Sequence, residues 1–268
     1  VTRLSDVLAR TREEERAALV GYLPVGYPDV PGSIEAMTAV VEAGADVIEV
    51  GVPYSDPLMD GPVIQHAAET ALAGGVRLRD LFTAVRAVAD AGAAVVVMTY
   101  WNPVLRYGVE RFAADLAAAG GSGLITPDLI PDEASEWLEA AKRHHLDPIF
   151  LVAPSSTDER LALTTAATSG FVYAASTMGV TGARASVGDA AHVLVERTRK
   201  VTDLPVCVGL GVSDREQAAQ VAGFADGVIV GSVLVRQLAD AAAPADGLAG
   251  LQAVVRELAL GVREGHTR

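Results

Sequence analysis

Cys207 is the only cysteine among 268 residues, so no internal disulfide can form, and its apolar surroundings from Pro205 to Val208 mark it as core filler. No apolar run reaches the ~18 residues that a membrane span requires. The N-terminal stretch carries Arg10, Arg12, Glu13, Glu14, Glu15 and Arg16, which is no signal-peptide core. Positive charge is also scarce. Lys and Arg total 21 against 34 Asp and Glu, a net charge of -13. Such a surface repels polyanions, which argues against nucleic acid and anionic membrane as partners. An anionic substrate therefore needs a local site. The expectation is a soluble, cytoplasmic protein in a reducing compartment.

Apolar residues, by contrast, make up 50% of the chain. Short Val/Ile/Leu-rich runs alternate with Ala-rich amphipathic stretches, the pattern of parallel strands joined by helical crossovers. Strands are predicted at 19–24, 46–51, 94–99, 123–126, 148–152, 171–175, 205–208 and 226–230. The intervening helices are predicted at 31–43, 63–90 with a break at Gly74 and Gly75, 109–119, 132–144, 157–167, 187–199, 213–222, and 232–262 with a break near Pro244. A further helix at 3–15 precedes them. Eight βα units with no strand left over favour closure over an open sheet, whose edges would need covering. The predicted fold is a (βα)8 TIM barrel, α/β in class, forming a single domain over 1–268 with an extra N-terminal helix. Its chemistry belongs in the loops after the strand C-termini.

Strand alternation in Asp46-Val47-Ile48-Glu49-Val50-Gly51 turns Glu49 into the barrel. A desolvated carboxylate there has a raised pKa and can donate and accept a proton near neutrality; the competing role is a structural ion pair. Asp60 follows on a proline-stiffened loop, Val52 to Pro62, and is carried back over the same mouth. It can serve the site or cap the helix beginning near Pro62. Leu58 and Met59, apolar and on the loop tip, either tuck inward or form a docking surface.

The seventh strand runs into Gly209-Leu210-Gly211 and the eighth into Gly231-Ser232, both read as glycine turns at helix starts. Such turns let backbone N–H groups approach an oxyanion, and two of them after adjacent strands predict a phosphate cup. After the sixth strand, Tyr173 to Arg184 reads as a lid of small residues. Tyr173 alternates with Phe171 and can simply be core, while Thr181 lies where a closed lid could reach Asp60.

Schiff-base cleavage needs a lysine inside the barrel, yet only Lys142 and Lys200 occur, neither at a predicted strand C-terminus. His66, His144, His145, His192 and His266 are too scattered to predict a metal site, and no dinucleotide fingerprint follows the first strand. Proton transfer by carboxylates on a phosphorylated substrate remains.

These residues resemble the tryptophan synthase alpha-subunit family over nearly the whole chain. The most specific stretch is EVGVPYSDPLMDGP, Glu49 to Pro62, supported by Gly179-Val180-Thr181-Gly182 and the turns at Gly211 and Gly231-Ser232. The resemblance implies cleavage of indole-3-glycerol phosphate to indole and glyceraldehyde-3-phosphate. It makes Glu49 the general acid-base and Asp60 the partner of the indole nitrogen. Tyr173 would line the pocket, Thr181 would orient Asp60, and Tyr22 and Tyr100 would lie in or beside the indole site. Gly182, Leu210, Gly211, Gly231 and Ser232 would contact phosphate.

The resemblance further implies no cofactor in this subunit and an alpha2beta2 complex with a pyridoxal-phosphate beta subunit, engaged through loops 53–62 and 176–185. Many relatives carry Ser-Arg where this chain has Ser176-Thr177, so an arginine latch on the lid is not implied. Competing readings are a phosphoribosyl isomerase, a stand-alone indole-releasing lyase, or a non-catalytic allosteric partner. The Glu49 and Asp60 pair argues against the first, and retention of both carboxylates and the phosphate turns against the last.

Overall fold

The structure, a computed structural model, describes residues 2–175, 184–209 and 211–265. Nine parallel strands form one sheet: β1 (Ala18–Pro24), β2 (Val47–Gly51), β3 (Ala94–Met98), β4 (Gly123–Ile125), β5 (Asp147–Ile149), β6 (Leu151–Val152), β7 (Val172–Ala175), β8 (Val206–Gly209) and β9 (Gly227–Val230). Their order is β5-β4-β3-β2-β1-β9-β8-β7-β6. The two end strands are successive pieces of one segment, separated only by Phe150, so the sheet curls into the expected barrel. The fifth predicted strand is thus divided. Its first half pairs with β4 and its second with β7, and the seam falls where the ladder changes partner.

Twelve α-helices are described: α1 (Arg3–Glu13), α2 (Val30–Glu42), α3 (Pro62–Ala73), α4 (Leu78–Asp90), α5 (Trp101–Tyr107), α6 (Val109–Ala118), α7 (Ser135–His144), α8 (Asp158–Ala167), α9 (Arg184–Arg199), α10 (Arg215–Ala222), α11 (Ser232–Ala239) and α12 (Pro244–Glu264). The predicted breaks at Gly74-Gly75 and before Pro244 are both present. Gly75 has φ +88°, a left-handed conformation that glycine adopts without a Cβ penalty. Residues 132–144 do not form one helix, because a 3₁₀ turn at Pro131–Glu133 precedes α7. No helix is predicted between 94–99 and 109–119, where α5 lies. Among the described residues no helix is long and apolar enough to cross a membrane.

Two apolar layers result. Between sheet and helices lie the outward strand residues such as Ile48 and Val50, packed against helix faces that include Met37, Leu81 and Trp137. Inside the barrel lie Val20, Val47, Val96, Ile125, Ile149 and Cys207, closed from below by Leu4, Val7 and Leu8 of α1. The N-terminal helix is therefore the plug of the barrel floor. It ends at Glu13, short of the predicted 15, because Glu15 has φ +51° and turns the chain into a buried clamp. There Arg16 donates to both carboxylate oxygens of Asp46 at 2.7 Å, and Asp46 also accepts the Leu19 N–H. With the floor sealed, the open end is at the strand C-termini.

Candidate active site

At that end lies a cavity of about 210 Å³ whose wall includes Tyr22, Glu49, Asp60, Tyr173, Gly211 and Gly231. Glu49 stands in the middle of β2, level with Tyr22 of β1 and Val96 of β3. It is 1% exposed, and its Oε2 has no hydrogen-bond partner among the described residues. No described cation meets this carboxylate, so nothing among the described residues supports the ion-pair alternative. Burial first, and the nearby Asp60 charge second, push its pKa from 4.5 to about 8. The side chain therefore holds a proton at neutral pH.

Asp60 comes from the loop after β2. It does not cap α3, because Gly61 is the N-cap residue and Pro62 opens the helix. Its carboxylate lies on the cavity wall instead. Desolvation raises its pKa, and the hydrogen bond from Tyr100 opposes that shift. The Tyr100 hydroxyl accepts the N–H groups of Leu58 and Met59 at 2.9 and 3.0 Å and donates to Asp60 Oδ1 at 3.5 Å. Tyr100 is not among the residues of the cavity wall; it stands behind Asp60. Of these two loop-tip residues only Met59 tucks inward. Leu58 is 77% exposed, whereas Met59 lines the cavity.

Tyr22 and Tyr173 are both inward-facing and cavity-lining, with pKa values raised well above the ordinary range, chiefly by burial. Their rings lie against strand-end glycines. A Cβ on Gly209 would sit 2.7 Å from the Tyr173 hydroxyl, and one on Gly231 would sit 3.1 Å from the Tyr22 ring. These glycines thus serve steric ends as well as leaving backbone accessible. Only one of the two turns opens a helix directly. Gly231 is the N-cap residue of α11, which no described side chain caps. Gly211, at φ +67°, lies four residues before α10, whose N-terminus is capped by Asp214. The wall also includes Gly61, Gly209 and Ser232 and, among residues not expected there, Ile64, Met98, Ala175 and Ile229. The last four carry no chemical signature, and the alternation of β3, β7 and β9 was the only signal that could have found the three strand residues. Thr181, Gly182, Leu210 and most of segment 176–185 lie outside the described residues.

Residues 8–263 match the family described as "Tryptophan synthase alpha chain". The chain belongs to the tryptophan synthase alpha chain family. It is 65% identical over 263 residues to the tryptophan synthase alpha chain of Mycolicibacterium paratuberculosis, covering 98% of this chain and 95% of that one. Among solved structures, tryptophan synthase of Mycobacterium tuberculosis superposes with a TM-score of 0.92 at 64% identity, covering 98% of this chain and 99% of the other. The alpha subunit from Legionella pneumophila retains a TM-score of 0.89 at only 31% identity, with 98% of each chain covered. The tryptophan synthase alpha chain resemblance read from Glu49 to Pro62 is thus one of whole-chain family membership.

Proposed function

We propose that this chain cleaves indole-3-glycerol phosphate by a retro-aldol step, releasing indole and glyceraldehyde-3-phosphate, as the alpha subunit of a tryptophan synthase. The observation that carries this reading is Glu49, a buried carboxyl group that faces the same cavity as Asp60 and whose pKa burial pushes up to about 8. Glu49 gives its proton to the indole carbon that bears the side chain, leaving a positive charge shared with the ring nitrogen. Asp60 as carboxylate stabilises that charge at the nitrogen. Glu49, now ionised, takes the proton from the hydroxyl on the adjacent carbon. The carbon-carbon bond breaks as the aldehyde forms, and the bonding pair returns to the ring and neutralises it. Glu49 ends as it began, so one group serves as acid and then base.

The substrate phosphate is assigned to the backbone around Gly211, Gly231 and Ser232, with Gly182 and Leu210 as further contacts. The N-terminus of α11, which no described side chain caps, supports this, since its N–H groups and partial positive charge suit an oxyanion on a molecule of net charge -13. Tyr22 and Tyr173 would flank the indole, Tyr100 would lie beside its site, and Thr181 would steady Asp60 when the lid closes. The partner is a beta subunit in an alpha2beta2 assembly, carrying its own pyridoxal phosphate and docking on loops 53–62 and 176–185. The outward Leu58 supports that surface, and the cytoplasm is the compartment we infer.

The test is indole release from indole-3-glycerol phosphate by the purified chain, with and without a beta subunit. Measurable release alone and faster release on mixing are expected. A folded chain that yields no indole under either condition would overturn the lyase reading.

A further inference from the structure

Asp60 is held by a short series of contacts that begins on a different loop. Two consecutive amides, those of Leu58 and Met59, converge on the Tyr100 hydroxyl. A phenol oxygen has two acceptor positions and one proton. With both acceptor positions taken, the proton is the one remaining bond, and Asp60 Oδ1 lies 3.5 Å away. Tyr100 thus orients the peptide planes just before Asp60 and also meets its carboxylate. The position of Tyr100 then sets the position of Asp60.

Tyr100 is itself the N-cap residue of α5, and its side chain, directed at the loop, caps nothing. Tyrosine lacks the short side-chain oxygen that helix starts use. The missing acceptor comes from 27 residues beyond Trp101. Asp128, on the loop after β4, accepts the Trp101 N–H with both carboxylate oxygens, at 2.9 and 3.1 Å. This bond fixes the amide next to Tyr100 in the chain. Asp128 is exposed and absent from the cavity wall, which places it outside the proposed substrate site. No motif singled it out.

We propose that Asp128 is a positioning residue for the cleavage: by capping α5 it holds Tyr100, and through Tyr100 the Leu58–Asp60 loop, in the geometry that the indole nitrogen requires. This rests on the function proposed above. Loss of the cap displaces Asp60 without altering the phosphate site, so the effect falls on turnover rather than on binding.

The experiment is a double-mutant cycle in the full chain, with indole release as readout and circular dichroism to establish folding. Asp128→Ala is expected to lower kcat by roughly tenfold, below the roughly 10²-fold that ~1 Å of misplacement costs, with KM within about twofold of the parent. Asp128→Asn, which keeps a neutral acceptor for the Trp101 N–H, is expected to restore most of the rate. In a Tyr100→Phe background, where the relay is already cut, Asp128→Ala is expected to add little. Should Asp128→Ala fail to fold, Asp128→Glu, which moves the acceptor by one methylene, takes its place and is expected to show the same loss and the same non-additivity.

Multiplicative losses in the double variant would overturn the proposal. So would an Asn variant as slow as Ala, which would assign the effect to charge, or an unchanged kcat in a folded Ala variant. If the parent chain itself releases no indole, the lyase reading fails instead, and the two failures are distinct.

Discussion

Glu49 is the residue to which we assign the proton transfers, and its environment makes predictions for both rate and stability. If it must enter the reaction protonated, kcat/KM falls above about pH 8, the value to which burial and Asp60 push it. A pH-rate profile flat to pH 9.5 would count against that assignment. Glu49→Gln keeps size and polarity but carries no transferable proton. It is expected to abolish indole release while binding of a glycerol-phosphate analogue, measured by calorimetry, stays nearly intact; loss of both together would point to a structural role. Stability should move with pH as well. Between 4.5 and about 8 the native state holds a proton that the unfolded chain has released, so stability falls as pH rises through this window and levels off above it. At about 1.36 kcal/mol per unit the native chain gives up on the order of 4 to 5 kcal/mol, and Glu49→Gln is spared that loss. Urea unfolding of both chains at pH 5 and pH 8.5 should show the variant gaining on the parent. An unchanged difference would mean that the carboxylate is solvated.

At the scale of elements, the floor and the mouth of the barrel carry separable tasks. Leu4 of α1 is fully buried in the interior cluster, far along the barrel from the cavity. Leu4→Ala should therefore cost about 2–5 kcal/mol in unfolding free energy and leave KM unchanged, a split that unfolding and kinetics read independently. Gly209→Ala acts at the other end. Its methyl group would press on the Tyr173 hydroxyl at 2.7 Å, so KM is expected to rise with little loss of unfolding free energy; unaltered kinetics would show that the ring can yield. The one helix that sequence patterns missed, α5, also belongs to the mouth. Trp101-Asn102-Pro103 looks like a turn, and only the Asp128 carboxylate, supplied from another loop, ends the first turn satisfactorily. The divided fifth strand has a similar cause. Phe150 stands where one ladder hands over to the other, a boundary invisible in the apolar run Pro148 to Val152.

For the molecule as a whole, the partner prediction is the most exposed to test. Titration with a beta subunit should raise indole release and saturate at a one-to-one ratio of chains, measured by activity against mixing ratio. Leu58→Asp, which puts a charge on a side chain that is 77% exposed, should weaken that activation by more than it changes the unassisted rate. Activation identical to the parent would move the docking surface elsewhere.

The alternation of apolar and amphipathic runs determined the barrel, the inward face of Glu49, and the breaks at Gly74-Gly75 and Pro244, because which face of a strand or helix is buried is written in a local period. The motif from Glu49 to Pro62 likewise determined the family. Tertiary structure alone decided that Asp60 faces the cavity rather than capping α3, that Tyr100 stands behind it, and that Asp214 caps α10 while the start of α11 is left without a described cap. It also decided that Glu49 is dry enough to keep its proton. Desolvation and hydrogen bonds between loops depend on groups brought together from distant parts of the chain, and no period in the sequence encodes them.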